Sequence, residues 1–248
     1  MQSNLNDGLY VTGAGADPLI HDSLFVDNTD HGVYIGAGAG LSRETAAGGS
    51  GPSFEGNFVT GNAGVGITLP GSHADELATS LSFSGNGGDV IELLTGTLRF
   101  TGTWAQHGVP YEVAASQTVS VEDNAFAVLT IAPGVRINFD TSAELKIGNG
   151  AAGQLIIDAS ADPVLMTGTE NVINTGIEWD GVTFGLYDHD SVVGLVIEYG
   201  GANGKGNLYV NGSASGAGPG GEPVLGQRWD LRGGSGSRRR RFKTPKSR

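Results

Sequence analysis

The sequence predicts an all-β chain wound into a solenoid of parallel coils, three short strands to a coil, over residues 1–215. Two observations carry this expectation. From Leu129 to Gly201 the chain is a succession of short apolar runs broken at close intervals by glycine, proline and acidic turns, so side chains alternate with period 2 and a helical period of 3.6 has no room. Through the first hundred residues an asparagine followed by a glycine-led apolar run recurs at a fixed spacing, the mark of a repeat that must stack on its own copies.

The repeat begins at once. Asn4 precedes Gly8-Leu-Tyr-Val11, Asn28 precedes Gly32-Val-Tyr-Ile35, Asn62 precedes Gly64-Val-Gly-Ile67 and Asn86 precedes Gly88-Asp-Val-Ile91. The asparagines lie 24, 34 and 24 residues apart, which gives a period of 24 with an insertion of about ten residues in the Gly/Ala/Ser-rich segment Gly36 to Ser53. Upstream of each asparagine, Phe25, Val59 and Phe83 fall in the same place and form one inward stripe. The repeated asparagine has a structural use, since its amide can bond the turn of its own coil and that of the next. Asn28, Asn62 and Asn86 are therefore expected to form an internal ladder.

The second half contains the runs Leu129-Thr-Ile131, Val135-Arg-Ile-Asn-Phe139, Leu145-Lys-Ile147, Leu155-Ile-Ile157, Val164-Leu-Met166, Ile177-Glu-Trp179, Val182-Thr-Phe184 and Val193-Gly-Leu-Val-Ile-Glu-Tyr199. Breakers such as Ala132-Pro-Gly134, Gly148-Asn-Gly150 and Asp162-Pro163 separate them. After Asn207-Leu-Tyr-Val210 the pattern fades. Residues 216–248 read as a disordered glycine-rich linker and a basic tail, Arg238-Arg-Arg-Arg-Phe-Lys-Thr-Pro-Lys-Ser-Arg248, a like-charge block that stays unfolded by self-repulsion. No polar cap precedes the first coil, so a longer parent chain with further coils, or a covering partner, is expected.

The Asn-x-x-x-Gly-Val-Tyr-Ile repeat resembles the right-handed parallel β-helix of pectin-lyase-like proteins. Leu129 to Phe139, Gly153-Gln-Leu155, Pro163 to Thr167, Trp179-Asp-Gly-Val-Thr-Phe184 and Ile197-Glu-Tyr-Gly-Gly201 are similar to β-helix segments of large secreted or surface-displayed bacterial proteins. The resemblance implies an extracellular or cell-surface place and a polysaccharide or cell-surface glycan as partner. It leaves activity open, because this fold carries lyases, hydrolases, epimerases, adhesins and phage proteins alike. Two functions are weighed: a non-catalytic stalk, adhesin or carbohydrate-contacting module, and a polysaccharide lyase or glycoside hydrolase acting on an acidic glycan.

Composition narrows the partners. The net charge of −12 hides a basic tail with seven of the fourteen lysines and arginines, which leaves residues 1–237 with seven basic against 26 acidic residues. Such a body repels nucleic acid and anionic membrane, so nucleic acid is expected only through the tail. No run approaches the ~20 apolar residues of a membrane span, and membrane insertion is not expected. With no cysteine, thiol catalysis and cysteine metal sites are excluded.

Family enzymes that cleave uronic-acid polymers use clustered aspartates with a basic proton abstractor or a histidine, but Arg43, Arg99, Arg136, Lys146 and Lys205 stand in no such motif. No catalytic residue is assigned. Tyr187, Asp188, His189 and Asp190 form the densest polar cluster and are the candidate ligand-binding residues. Two carboxylates around an imidazole suit a hard cation such as calcium, or acid–base work, yet two are few for a tight calcium site, and a hydrated turn explains the same composition. Asp27, Asp30 and His31 read as another turn, while His21, His73 and His107 are isolated, so zinc has no support. No cofactor is assigned beyond the weak case for calcium. Trp104, Tyr111 and Trp179 read as core aromatics.

Overall fold

The computed structural model describes residues 6–43, 52–169, 179–185, 190–201 and 207–210. Strands are numbered in chain order. One sheet of eight strands runs the length of the molecule: β1 (Leu9–Val11), β3 (Val33–Ile35), β5 (Val65–Pro70), β7 (Gly88–Leu94), β10 (Tyr111–Val113), β13 (Arg136–Phe139), β16 (Val164–Gly168) and β19 (Leu195–Ile197). A second side begins as β2 (Leu24–Val26), β4 (Phe58–Thr60) and β6 (Ser82–Ser84). In the second half two further sheets complete each coil. They are β8 (Gly96–Leu98), β11 (Thr118–Val121), β14 (Glu144–Ile147), β17 (Gly181–Phe184) and β20 (Leu208–Val210), and β9 (Thr101–Trp104), β12 (Ala127–Ile131), β15 (Gly153–Asp158) and β18 (Ser191–Val193). Every strand pair is parallel, so the chain is an all-β solenoid.

Register explains the core. Val33, Ile67, Ile91, Tyr111, Ile137, Met166 and Ile197 lie on one another through the long sheet and are all buried, because a period of 2 puts every second residue of each strand inside. The stripe Phe25, Val59, Phe83 is also in register, with Val59 fully buried and the two phenylalanines packed against the core.

The 24-residue period holds only in part. Leu9 pairs with Val33 and Ile67 with Ile91 at that spacing. Thereafter Ile91 pairs with Tyr111, 20 residues on, and Tyr111, Ile137, Met166 and Ile197 follow at 26, 29 and 31. The change falls at a 3-10 turn, Gly71–Glu76, beyond which β6 has no further neighbour among the described residues and β9 starts a new sheet. Before that turn the third side of the coil is reduced to the parallel bridges His21↔Glu55 and Phe54↔Leu77.

One stretch differs from the sequence reading. Val193 to Tyr199 is a corner between β18 and β19 rather than one run, turned at Gly194, whose φ of 76° is open to glycine and whose added Cβ would meet the Ala159 carbonyl. The first part of the inserted segment is tied to the coil below it, since Gly36 donates to the Val11 carbonyl, Gly40 to that of Ala16 and Ser42 to that of Pro18. The linker and basic tail from residue 216 lie outside the described residues.

Candidate functional site

The asparagine ladder is present and internal. Asn28 donates through its backbone N–H and its Nδ2 to Asn62 Oδ1, at 3.1 and 2.6 Å. Asn62 does the same to Asn86 Oδ1, at 3.2 and 2.8 Å. Each lower carbonyl is served in turn, Asn62 Nδ2 donating to Phe25 O and Asn86 Nδ2 to Val59 O. The stack ends where Asp89 accepts from the backbone of Gly85 and Asn86 and from Asn86 Nδ2. Asn57 forms a rung that the sequence did not single out, accepting from Ser23 N and donating to Ile20 O while fully buried. Asn28, Asn57 and Asn62 are buried and Asn86, at the end of the stack, is half-buried, and their bonds tie each coil to the next.

The proposed ligand cluster divides. Tyr187, Asp188 and His189 lie outside the described residues. Asp190 is described, and its Oδ1 accepts from Leu155 N at 2.6 Å, tying β18 to the start of β15. Trp104, Tyr111 and Trp179 are buried, as core aromatics should be. Trp104 stacks on Tyr111 at 5.2 Å and Trp179 on Phe139 at 4.0 Å.

What the fold does place together is a polar row on the outer face of the long sheet. Tyr10, Tyr34, Thr68, Glu92, Glu112, Asn138 and Thr167 lie in register on seven successive strands, alternating with the core stripe by the period of 2; Tyr10, Tyr34, Glu92, Glu112 and Asn138 reach solvent, whereas Thr68 and Thr167 are buried. At one end Tyr10, 61% exposed, stacks on Tyr34 at 5.3 Å and 9°. In the middle Thr68 Oγ1 donates to Glu92 Oε2 at 3.0 Å, and Arg136 Nε donates to Asn138 Oδ1 at 2.9 Å. Partial burial, then the carboxylates of Glu92 and Asp140, raise the pKa of Glu112 above its ordinary value. A small cleft of about 120 Å³ adjoins the row at the corner lined by Gln106, Tyr111, Gly134 and Arg136.

Two other groups of charged side chains are built across coils. Asp7, Asp30 and His31 present donor atoms all within 4.8 Å of one another. Sequence order could have found this contact, because Asp7-Gly8 and His31-Gly32 occupy the same place in consecutive repeats. The other is under the 3-10 turn, where Arg43 Nη1 lies 2.7 Å from both Asp75 Oδ2 and Glu76 Oε1, and Arg43 Nη2 donates to Ser72 O at 2.8 Å. Glu76 and Ser53 are both buried there. Burial, then the neighbouring Asp75 carboxylate, push Glu76 up to about 7 against the pull of Arg43. Burial lowers His73 beside them. The chain matches no protein-family model, no curated protein and no solved structure.

Proposed function

We propose that the chain is a non-catalytic, extracellular or cell-surface parallel β-helix of the pectin-lyase-like type, which serves as a stalk and contacts glycan along the outer face of its long sheet. The observation that carries this reading is the stack of exposed Tyr10 on half-buried Tyr34 at the head of an in-register polar row. Aromatic faces take the apolar side of a sugar ring, and the partly exposed carboxyls of Glu92 and Glu112 and the amide of Asn138 offer hydrogen bonds to its hydroxyls. Coils about 4.8 Å apart repeat these groups along a line, which suits an extended chain of sugars. Glu92 and Glu112 make the row acidic, so neutral or amino sugars are favoured over uronates. The extracellular place rests on the family resemblance.

The test is binding of the whole chain to an array of neutral, amino and acidic glycans. Retention of neutral or amino glycans, lost in Tyr10→Ala and Tyr34→Ala, is expected. Retention unchanged in both variants, or of acidic glycans alone, would overturn the reading. A second reading, a polysaccharide lyase or glycoside hydrolase acting on an acidic glycan, is favoured by one observation: Glu112 has a raised pKa beside a second carboxylate on the same face, as an acid–base pair requires. Product release from a glycan, abolished by Glu112→Gln, would establish it.

A further inference from the structure

Asp7 lies one coil below His31, and its Oδ1 sits 3.1 Å from His31 N and 2.9 Å from His31 Nδ1. Asp30 Oδ1 approaches the same ring nitrogen at 3.1 Å. Two carboxylate oxygens thus converge on one nitrogen. A protonated Nδ1 has a single hydrogen to share between them, and an unprotonated one turns its lone pair toward two anions. The three ligand atoms all lie within 4.8 Å of one another, close enough to share one cation.

Distances and donor types narrow the cation. Ligand atoms on adjacent corners of an octahedron with metal bonds of about 2.1 Å are roughly 3.0 Å apart, and those of a tetrahedron with bonds of about 2.0 Å roughly 3.3 Å. The separations of 2.9 and 3.1 Å fit such an edge. An imidazole nitrogen with two carboxylates suits a transition metal, whereas calcium takes six to eight oxygens. The backbone N–H of His31 on Asp7 Oδ1 fixes the first carboxylate from behind, as outer-shell bonds do in metal sites. The Asp7 and His31 side chains are mostly covered, while Asp30 is 58% exposed, so the ion has a route in and its remaining positions face water.

We propose that Asp7, Asp30 and His31 bind one divalent transition-metal ion and so join two consecutive coils. The ion sits beside the aromatic platform, since the His31 ring lies 5.3 Å from that of Tyr34. The inference does not depend on glycan binding and fails or stands separately from it.

The whole chain is titrated with Co2+, followed by its visible absorption and by competition with Zn2+. One equivalent is expected, displaced by Zn2+ and not by excess Ca2+, with binding at least tenfold weaker in His31→Gln and in Asp30→Asn. Asp30→Asn keeps the test open should His31→Gln unfold, because Asp30 is largely exposed and a circular dichroism spectrum checks its fold. Zn2+ should also raise the melting temperature of the parent chain and leave that of Asp30→Asn unmoved. Absence of stoichiometric Co2+ binding, displacement by Ca2+, or equal affinity in folded Asp30→Asn would overturn the proposal.

Discussion

At the scale of single residues, burial with full hydrogen bonding separates structural side chains from chemical ones. Asn62 is 1% exposed and bonded above and below, so Asn62→Ala leaves buried donors and acceptors unpaired and should cost about 1–3 kcal/mol. Urea denaturation measures this, and a cost below ~0.5 kcal/mol would mean that the ladder does not hold the coils. Glu76 makes a different forecast. Burial pushes its pKa up to about 7 in the folded chain from an ordinary 4.5, so between these values the folded state holds the proton more tightly. Stability from this group is then greatest below about pH 4.5, falls as pH rises toward 7 and is flat above, a change on the order of 2–3 kcal/mol. Melting curves of the parent chain and Glu76→Gln at pH 5 and pH 8 should diverge on the alkaline side, with the parent losing more; parallel curves would refute the assignment.

Elements were legible wherever burial alternates. Leu129 to Ile131, Leu145 to Ile147 and Leu155 to Ile157 lie within strands because alternation is local and each coil repeats it. The 3-10 turn and the shortened coil after it were not legible. Gly71-Ser-His-Ala-Asp-Glu76 carries no periodic signal, and what holds it is the distant Arg43. Likewise the outer polar row emerges only from register across seven strands, whereas Asp7 over His31 follows from the repeat alone. Arg43 ties the inserted segment to this turn, and its guanidinium also lies 4.6 Å from the Phe100 ring at the corner between β8 and β9. Removing it strands two buried carboxylates, Asp75 and Glu76, so Arg43→Ala should cost about 3–5 kcal/mol. Arg99, 61% exposed and 3.5 Å from Asp123, belongs to the class of surface pairs worth about 0–1 kcal/mol. Equal costs for Arg43→Ala and Arg99→Ala in denaturant would show that the turn is held by something else.

For the whole molecule, stability is distributed along one axis. Eight parallel strands at about 4.8 Å give the long sheet a length of roughly 34 Å, and each coil contacts chiefly its neighbours, so local openings need not unfold the rest. The long sheet is continuous past the 3-10 turn, but the second side is not: β6 pairs only with β4, β9 only with β12 and β8 only with β11. The Asn ladder also stops at Asn86. The second side and the ladder therefore end at the level where the β8 and β9 sheets begin, and the 3-10 turn that packs against β8 and β9 carries the two carboxylates held by Arg43. Native-state hydrogen exchange should then find the slowest amides in β12, β13 and β15, which have neighbours on both sides, and faster exchange in β6, β8 and β9. Arg43→Ala should speed exchange in those three strands more than in β13 or β15. Uniform protection from β4 to β15, unchanged by Arg43→Ala, would mean that the eight-stranded sheet alone makes the two halves one cooperative unit and that the break on the other sides carries no energetic weight.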